Sequence, residues 1–194
     1  ISEIARPAVR ETLKPLIEIL AGIPSVVIGF FGIVFLGPYI SQIFGLTSGL
    51  NALNGSILLA FMSLPTIISV SEDAIHSVPE EYKAASYALG ATKWHTLIKV
   101  ILPAASSGII ASIMLGFGRA IGETMTVLMA IGNALRMPHH YFDSVRTMTA
   151  NIAIELGEVP FNTTHYYGLF AVGLILFIIT LIVNTIADNI TRKI

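Results

Sequence analysis

Charge is scarce in this 194-residue chain: Asp, Glu, Lys and Arg make up 12% of it, while 54% is hydrophobic. An ordinary soluble domain carries about 25% charged residues, so a fully water-facing surface is excluded and lipid becomes the main solvent. Cysteine is absent, which removes disulfides, thiolate nucleophiles and cysteine-ligated metals. The formal net charge is −1, and no basic stripe exists to neutralise the phosphates of a nucleic acid. No GxxxxGK[S/T] stretch occurs, so the chain does not itself cradle a nucleoside triphosphate in that way. Alternating ten-residue segments of the outer-membrane barrel type are missing too. Residue 1 is Ile1 rather than Met, and no basic-then-apolar leader precedes the first polar segment; the chain is expected to be a fragment lacking an N-terminal part.

What the chain does have is long apolar runs. A helix needs roughly 20 mostly apolar residues to cross the hydrocarbon core. Four stretches qualify: about Leu16–Leu36, opening after Pro15; about Leu53–Val70, with Pro65 inside; about Ala104–Ala134; and about Tyr167–Ala187. The expectation is an all-α, polytopic transmembrane bundle. Arg6, Arg10 and Lys14 precede the first span, Lys83, Lys93 and Lys99 lie between the second and third, and Arg192 and Lys193 come after the fourth. On the opposite side only Arg136 and Arg146 occur. Positive residues favour the cytoplasm, so both ends of the chain are expected there, in a cell membrane. Tyr166 and Tyr167 then fall at the outer interface, where amphipathic rings are favoured.

Small residues carry a second pattern. Gly22, Ser25, Gly29 and Gly32 are spaced as one helical stripe, and Gly118 and Gly122 form a GxxxG pair. Such stripes let helices approach closely in lipid, either within the subunit or across a subunit interface.

Between the second and third runs lies SVPEEYKAASYALGATKWHTLIKVILP, residues 77–103. Ser77 with Glu80 has capping-box spacing, Gly90 supplies a left-handed stop, and Thr92 caps a second helix. The expected form is helix, glycine elbow, helix. Ala84, Ala85 and Ala88 leave a low-relief face that another protein covers, or the helix simply lies in the headgroups.

The third run, GFGRAIGETMTVLMAIG, places Arg119 and Glu123 four residues apart in apolar surroundings. A charge at the bilayer centre costs roughly 2.5–3.5 kcal/mol on insertion scales. In a continuous helix this spacing puts both side chains on one face, yet base before acid is the less favourable order, and a pair is worth about 0.2–0.5 kcal/mol. Local helix stability therefore does not explain the pair. One explanation is a buried ion pair that sets helix packing. The other is a transient anion site: the Arg119 guanidinium suits an oxyanion bidentately, Glu123 neutralises it when empty, and the Thr124 hydroxyl adds a donor. A carboxylate also accepts a hydrogen bond from protonated phosphate, which ionised sulfate does not offer. His139-His140 make a poor metal site, being adjacent on a short loop with no third ligand evident. The segment Thr147–Gly157, with Glu155 and Glu158, reads as an extracytoplasmic loop, with an outer helix or partial re-entry as the alternative.

Ala84-Ala85-Ser86, Gly90 and Val100-x-Leu102-Pro103 resemble the EAA loop of ABC-importer permeases, with Ala84 where the pattern has Glu and Ser86 in place of the second Ala. LAGIPSVVIGFFGI (20–33), LGFGRAIGETMTVLMAIGN (115–133) and LFAVGLILFIITLIVN (169–184) resemble the C-type permease subunit of the phosphate-specific (Pst) ABC importer, a MetI-like inner-membrane component of binding-protein-dependent transport. The resemblance implies that residues 1–194 are one permease domain, non-catalytic, with residues 77–103 as its cytoplasmic coupling loop. Ala84, Ala85, Gly90, Leu102 and Pro103 would meet the ATPase. Arg119 and Glu123 match the transport-critical pair. The implied partners are an A-type permease subunit, a cytosolic ATPase dimer that holds ATP and Mg, and an extracytoplasmic phosphate-binding protein; no cofactor belongs to this chain. Six spans are expected in the whole subunit, and the opening ISEIARP resembles the end of the second. A permease for molybdate or sulfate, an ATPase-independent channel or carrier, and a passive scaffold are the alternatives.

Overall fold

The computed structural model describes the backbone of residues 7–193 and the side chains of residues 12–189. Ile1–Arg6 and the side chains of Arg10, Arg192 and Lys193, on which part of the expected charge bias rests, lie outside the described residues. Among the described residues the chain is helical, with one isolated bridge between Gly132 and Val145 in place of any strand.

Helix α1 (Pro7–Ala21) takes in the start of the apolar run expected from Leu16, and α2 runs over Ser25–Phe44. The expected span Leu16–Leu36 is therefore displaced toward the C-terminus. Pro24 is responsible: it has no N–H to continue α1, and its carbonyl instead accepts the N–H groups of Val27 and Ile28, starting a new helix. Gly22 lies in the turn between the two helices, outside the small-residue stripe assigned to it. Helix α3 (Ala52–His76) holds Pro65 inside it and outlasts the expected second span. Helix α9 (Thr164–Lys193) covers the whole of the expected fourth. Three helices, Ser25–Phe44, Ala52–His76 and Thr164–Asn189, are long and apolar enough to cross a membrane; counting the bent pair Lys93–Ala104 and Ser106–Gly122 as one span makes up to four.

The third run departs most from expectation. Residues 104–134 are not one helix. Helix α5 (Lys93–Ala104) meets α6 (Ser106–Gly122) at a bend of 66°. Helix α6 ends at Gly122, and a short α7 (Met125–Ala130) comes after it. Two prolines share one device. The N–H of Gly37 reaches back five residues to Gly32 O, and that of Leu102 to Leu97 O, each immediately before Pro38 or Pro103. A proline inside an α-helix clashes with the carbonyl four residues earlier and leaves it without a donor. One widened π turn relieves the crowding and keeps the helix continuous, which is why Gly37-Pro38 does not end the first span.

The described residues form two compact units. One comprises residues 7–22, 64–117 and 183–193; its core is Val78, Ile101 and Ala105, backed by Ile75, Leu97 and Ile109. Ser71 and Ser112 hydroxyls meet there at 2.6 Å. The other unit comprises residues 23–63 and 118–182; its core is Ile28, Leu58, Met62 and Ala130. In it, Gly29 and Gly32 let α2 approach α7. A Cβ on Gly29 would lie 3.2 Å from Thr126 Cα, and one on Gly32 would strike Leu58. The stripe at Gly29 and Gly32 thus packs within this chain.

Candidate functional site

The insert folds as helix α4 (Glu80–Ala88), an elbow, and α5. Glu80 and Glu81 occupy its first turn, where a carboxylate complements the helix dipole. The expected capping box does not form. Pro79 takes the N-cap position with φ −56°, and the Ser77 hydroxyl donates back to Ala74 O at 2.8 Å. Gly90 has φ +80°, and Thr92 caps α5 by accepting the His95 N–H at 3.3 Å, both as expected. Ala84, Ala85 and Ala88 are exposed, whereas Lys83 and Ser86 are buried. The Ser86 hydroxyl meets Thr96 Oγ1 at 2.9 Å, joining the two helices across the elbow. A groove of about 650 Å³ lies beside Gly90, lined by Tyr82, Ala85, Leu89 and His95 among others. Leu102 and Pro103, also exposed, lie just beyond the π turn of α5.

The Arg119–Glu123 region differs from its expected form. Arg119 lies in the last turn of α6 and is exposed on this chain. Glu123 stands one residue beyond the helix, its N–H reaching back to Ala120 O at 3.4 Å. The two side chains therefore do not share a face of one continuous helix, the condition under which the four-residue spacing pairs them. Glu123 Oε1 accepts the Thr126 N–H at 3.2 Å. In an unbroken helix that N–H would go to Gly122 O, which here accepts the Thr124 hydroxyl at 3.4 Å. A side chain has taken over a main-chain bond, and the helix breaks where it does so. Space beside Gly122 is open to 4 Å, so among the described residues no helix closes in there.

The far side of the break is held firmly. Thr126 is fully buried, and its hydroxyl donates to Ser25 O at 3.0 Å. The Glu123 carbonyl accepts the Thr149 hydroxyl at 2.9 Å. Thr149 belongs to α8 (Met148–Glu155), a helix capped by Thr147; the segment 147–157 is thus largely helical rather than a plain loop. At its end Glu155 accepts from Arg146 Nη1 and contacts His165 Nε2, both at 2.6 Å. Sequence reading missed the Ser86–Thr96 contact, Thr149 and this Arg146–Glu155–His165 cluster, since no short-range spacing brings the partners together.

After α7 the chain turns through Gly132 (φ +80°) and Asn133 (φ +56°). Asparagine tolerates the left-handed region better than most residues. The loop beyond this turn caps α3 from a distance: Asp143 O and Tyr141 O accept the N–H groups of Ala52 and Leu53 at 3.0 and 2.9 Å. Asn51 Oδ1 accepts the Asn54 N–H at 3.0 Å, a side-chain N-cap. The N–H groups of His139 and His140 donate to Asp143 Oδ2 at 2.8 and 3.1 Å. Chiefly the first of these bonds, then the second, hold the Asp143 carboxyl below the usual carboxylate range; Arg136 adds to this and desolvation opposes it.

These helices, broken and bent around an elbow and a charged break, define a class that the comparisons identify. Residues 4–194 match the family described as binding-protein-dependent transport system inner membrane component, and the chain belongs to it. It is a multi-pass membrane protein. Its sequence is 41% identical over 179 residues to the probable ABC transporter permease protein YqgH of Bacillus subtilis, covering 92% of this chain and 58% of that protein. It is 33% identical over 213 residues to the phosphate transport system permease protein PstC of Mesorhizobium japonicum, covering 100% of this chain and 65% of the relative. The Pasteurella multocida PstC is likewise 33% identical, with 66% of its length covered. The chain therefore spans about three-fifths to two-thirds of the curated relatives it matches. Among solved structures, the inward-facing MetNI methionine ABC transporter superposes with a TM-score of 0.73 at 22% identity, over 98% of this chain and 77% of that one; this establishes the shared fold.

Proposed function

We propose that this chain is the C-type permease subunit of an ATP-driven inorganic phosphate importer. The observation that carries it is a guanidinium and a carboxylate placed at a helix break inside an apolar segment, where ionisable side chains mark a substrate path. The similarity to two PstC proteins supports phosphate as the cargo. Arg119 offers paired N–H donors to the oxyanion, Glu123 accepts from its protonated oxygen, and Thr124 adds a hydroxyl. The chain itself is non-catalytic. ATP and Mg belong to a cytosolic ATPase dimer that docks on residues 77–103, at Ala84, Ala85, Gly90, Leu102 and Pro103. An A-type permease subunit completes the pathway, and an extracytoplasmic phosphate-binding protein delivers cargo to it. Both chain ends face the cytosol.

Labelled-phosphate uptake by vesicles with and without ATP, and with competing sulfate, tests this reading. Arg119→Ala is expected to abolish uptake while the assembled complex remains in the membrane; unimpaired uptake removes the anion-site role. The bond from Thr126 N–H to Glu123 Oε1 favours a second reading for Glu123 alone, that of a helix cap. Glu123→Gln keeps the accepting oxygen and loses the charge. Lost uptake at normal assembly assigns Glu123 to transport; retained uptake assigns it to the cap.

A further inference from the structure

Thr149 lies in sequence far from the charged run, yet its hydroxyl ends on the main chain of Glu123. A threonine hydroxyl has one proton, and a carbonyl only accepts, so the 2.9 Å contact is a bond from Thr149 Oγ1 to Glu123 O. The 3.1 Å contact between the Thr147 and Thr149 hydroxyls must then run from Thr147 to Thr149. Thr147 Oγ1 meanwhile accepts the Ala150 N–H at 3.2 Å. The proton directions are thus determined along a chain of three groups that ends at Glu123. Thr149 is 9% exposed, so water competes poorly for this bond. The residue it holds sits in the two-residue gap between α6 and α7, where no i to i−4 bond of its own secures it.

We propose that Thr149 is a positioning residue for Glu123: its hydroxyl holds the backbone at the helix break and so fixes where the carboxylate sits. This inference rests on the transport role proposed for Glu123. The helix α8 that carries Thr149 is anchored at its other end by the Glu155 contacts with Arg146 and His165. Glu123 is therefore held against a helix rather than against a loop.

The experiment compares Thr149→Val, which keeps the shape and removes the hydroxyl, with Thr149→Ser, which keeps the hydroxyl. Phosphate uptake is measured per assembled copy in cells carrying the complete transporter, alongside amide hydrogen exchange of the purified complex. Losing one net hydrogen bond predicts that Thr149→Val slows uptake about three- to tenfold, that Thr149→Ser restores it, and that exchange rises in residues 123–127 while 150–155 stay protected. Equal defects in both variants, a loss of assembled copies that accounts for the whole defect, or exchange rising throughout α8 would each make Thr149 a packing residue and overturn the proposal. Thr149→Val at wild-type rate beside an inactive Arg119→Ala overturns this inference alone. An active Arg119→Ala instead removes the underlying site.

Discussion

Gly90 and Gly132 have the same left-handed backbone angle, φ +80°, but opposite surroundings. Around Gly90 a Cβ would meet nothing within 4 Å. At Gly132 it would strike Ser144 Oγ and come within 2.9 Å of Leu50 O. Both turns need glycine for the backbone. Only the second needs it for space as well, because the Ile131–Asn133 turn is wedged between the Ser144 loop and the residues that open α3. At the elbow there is open space for a side chain, and the Ser86–Thr96 contact is what ties its two helices together. A wedged turn fixes what it joins.

The largest effect is expected from Gly132→Ala. Left-handed strain of roughly 1–3 kcal/mol is compounded by overpacking of similar size, so assembled protein in the membrane should fall sharply. If Gly132→Ala and Gly90→Ala cost the same in thermal unfolding of the detergent-purified complex, the surroundings contribute nothing and the contrast fails. Asn51→Ala and Gly90→Ala come next, with costs of similar size. Asn51→Ala removes the cap beside the Gly132 wedge at about 0.5–2 kcal/mol, whereas Asn51→Ser should retain most of it. Gly90→Ala is expected to cost about 1–2 kcal/mol from the backbone alone and to leave the unit folded; its defect should show as weaker ATPase capture by residues 77–103. The smallest effect is a pH dependence in the loop next to Gly132. The lowered pKa of Asp143 means that its stabilisation is present above the ordinary carboxylate range and is lost as pH falls through the lower folded value. The protection factors of the His139 and His140 amides should therefore fall in acid, and Asp143→Asn should remove that acid dependence.

The elbow was legible because everything that makes it is local. Gly90 and the Thr92 cap lie within a few residues of the backbone they shape. Helix α9 was legible for the same kind of reason, since an uninterrupted apolar run needs no partner to be recognised. The capping box at Ser77 misled because Pro79 competes for the same position at closer range. The continuous third span misled more deeply. Gly122, Thr124 and Thr126 weaken a helix only modestly; the break is fixed by a carboxylate reaching Thr126 N–H and by Thr149, 26 residues onward, binding the Glu123 carbonyl. The cluster of Arg146, Glu155 and His165 was missed because its members meet only once α8 has formed and packed.

Composition and run length by themselves settled that this is an all-α membrane chain with a helix–glycine–helix insert, because desolvation cost and backbone sterics act residue by residue. Where the apolar helices stop, which glycines are wedged, and which groups hold Glu123 outside α6 were decided by tertiary contacts. Those outcomes turn on single hydrogen bonds between distant segments, and their energies exist only after the segments have come together.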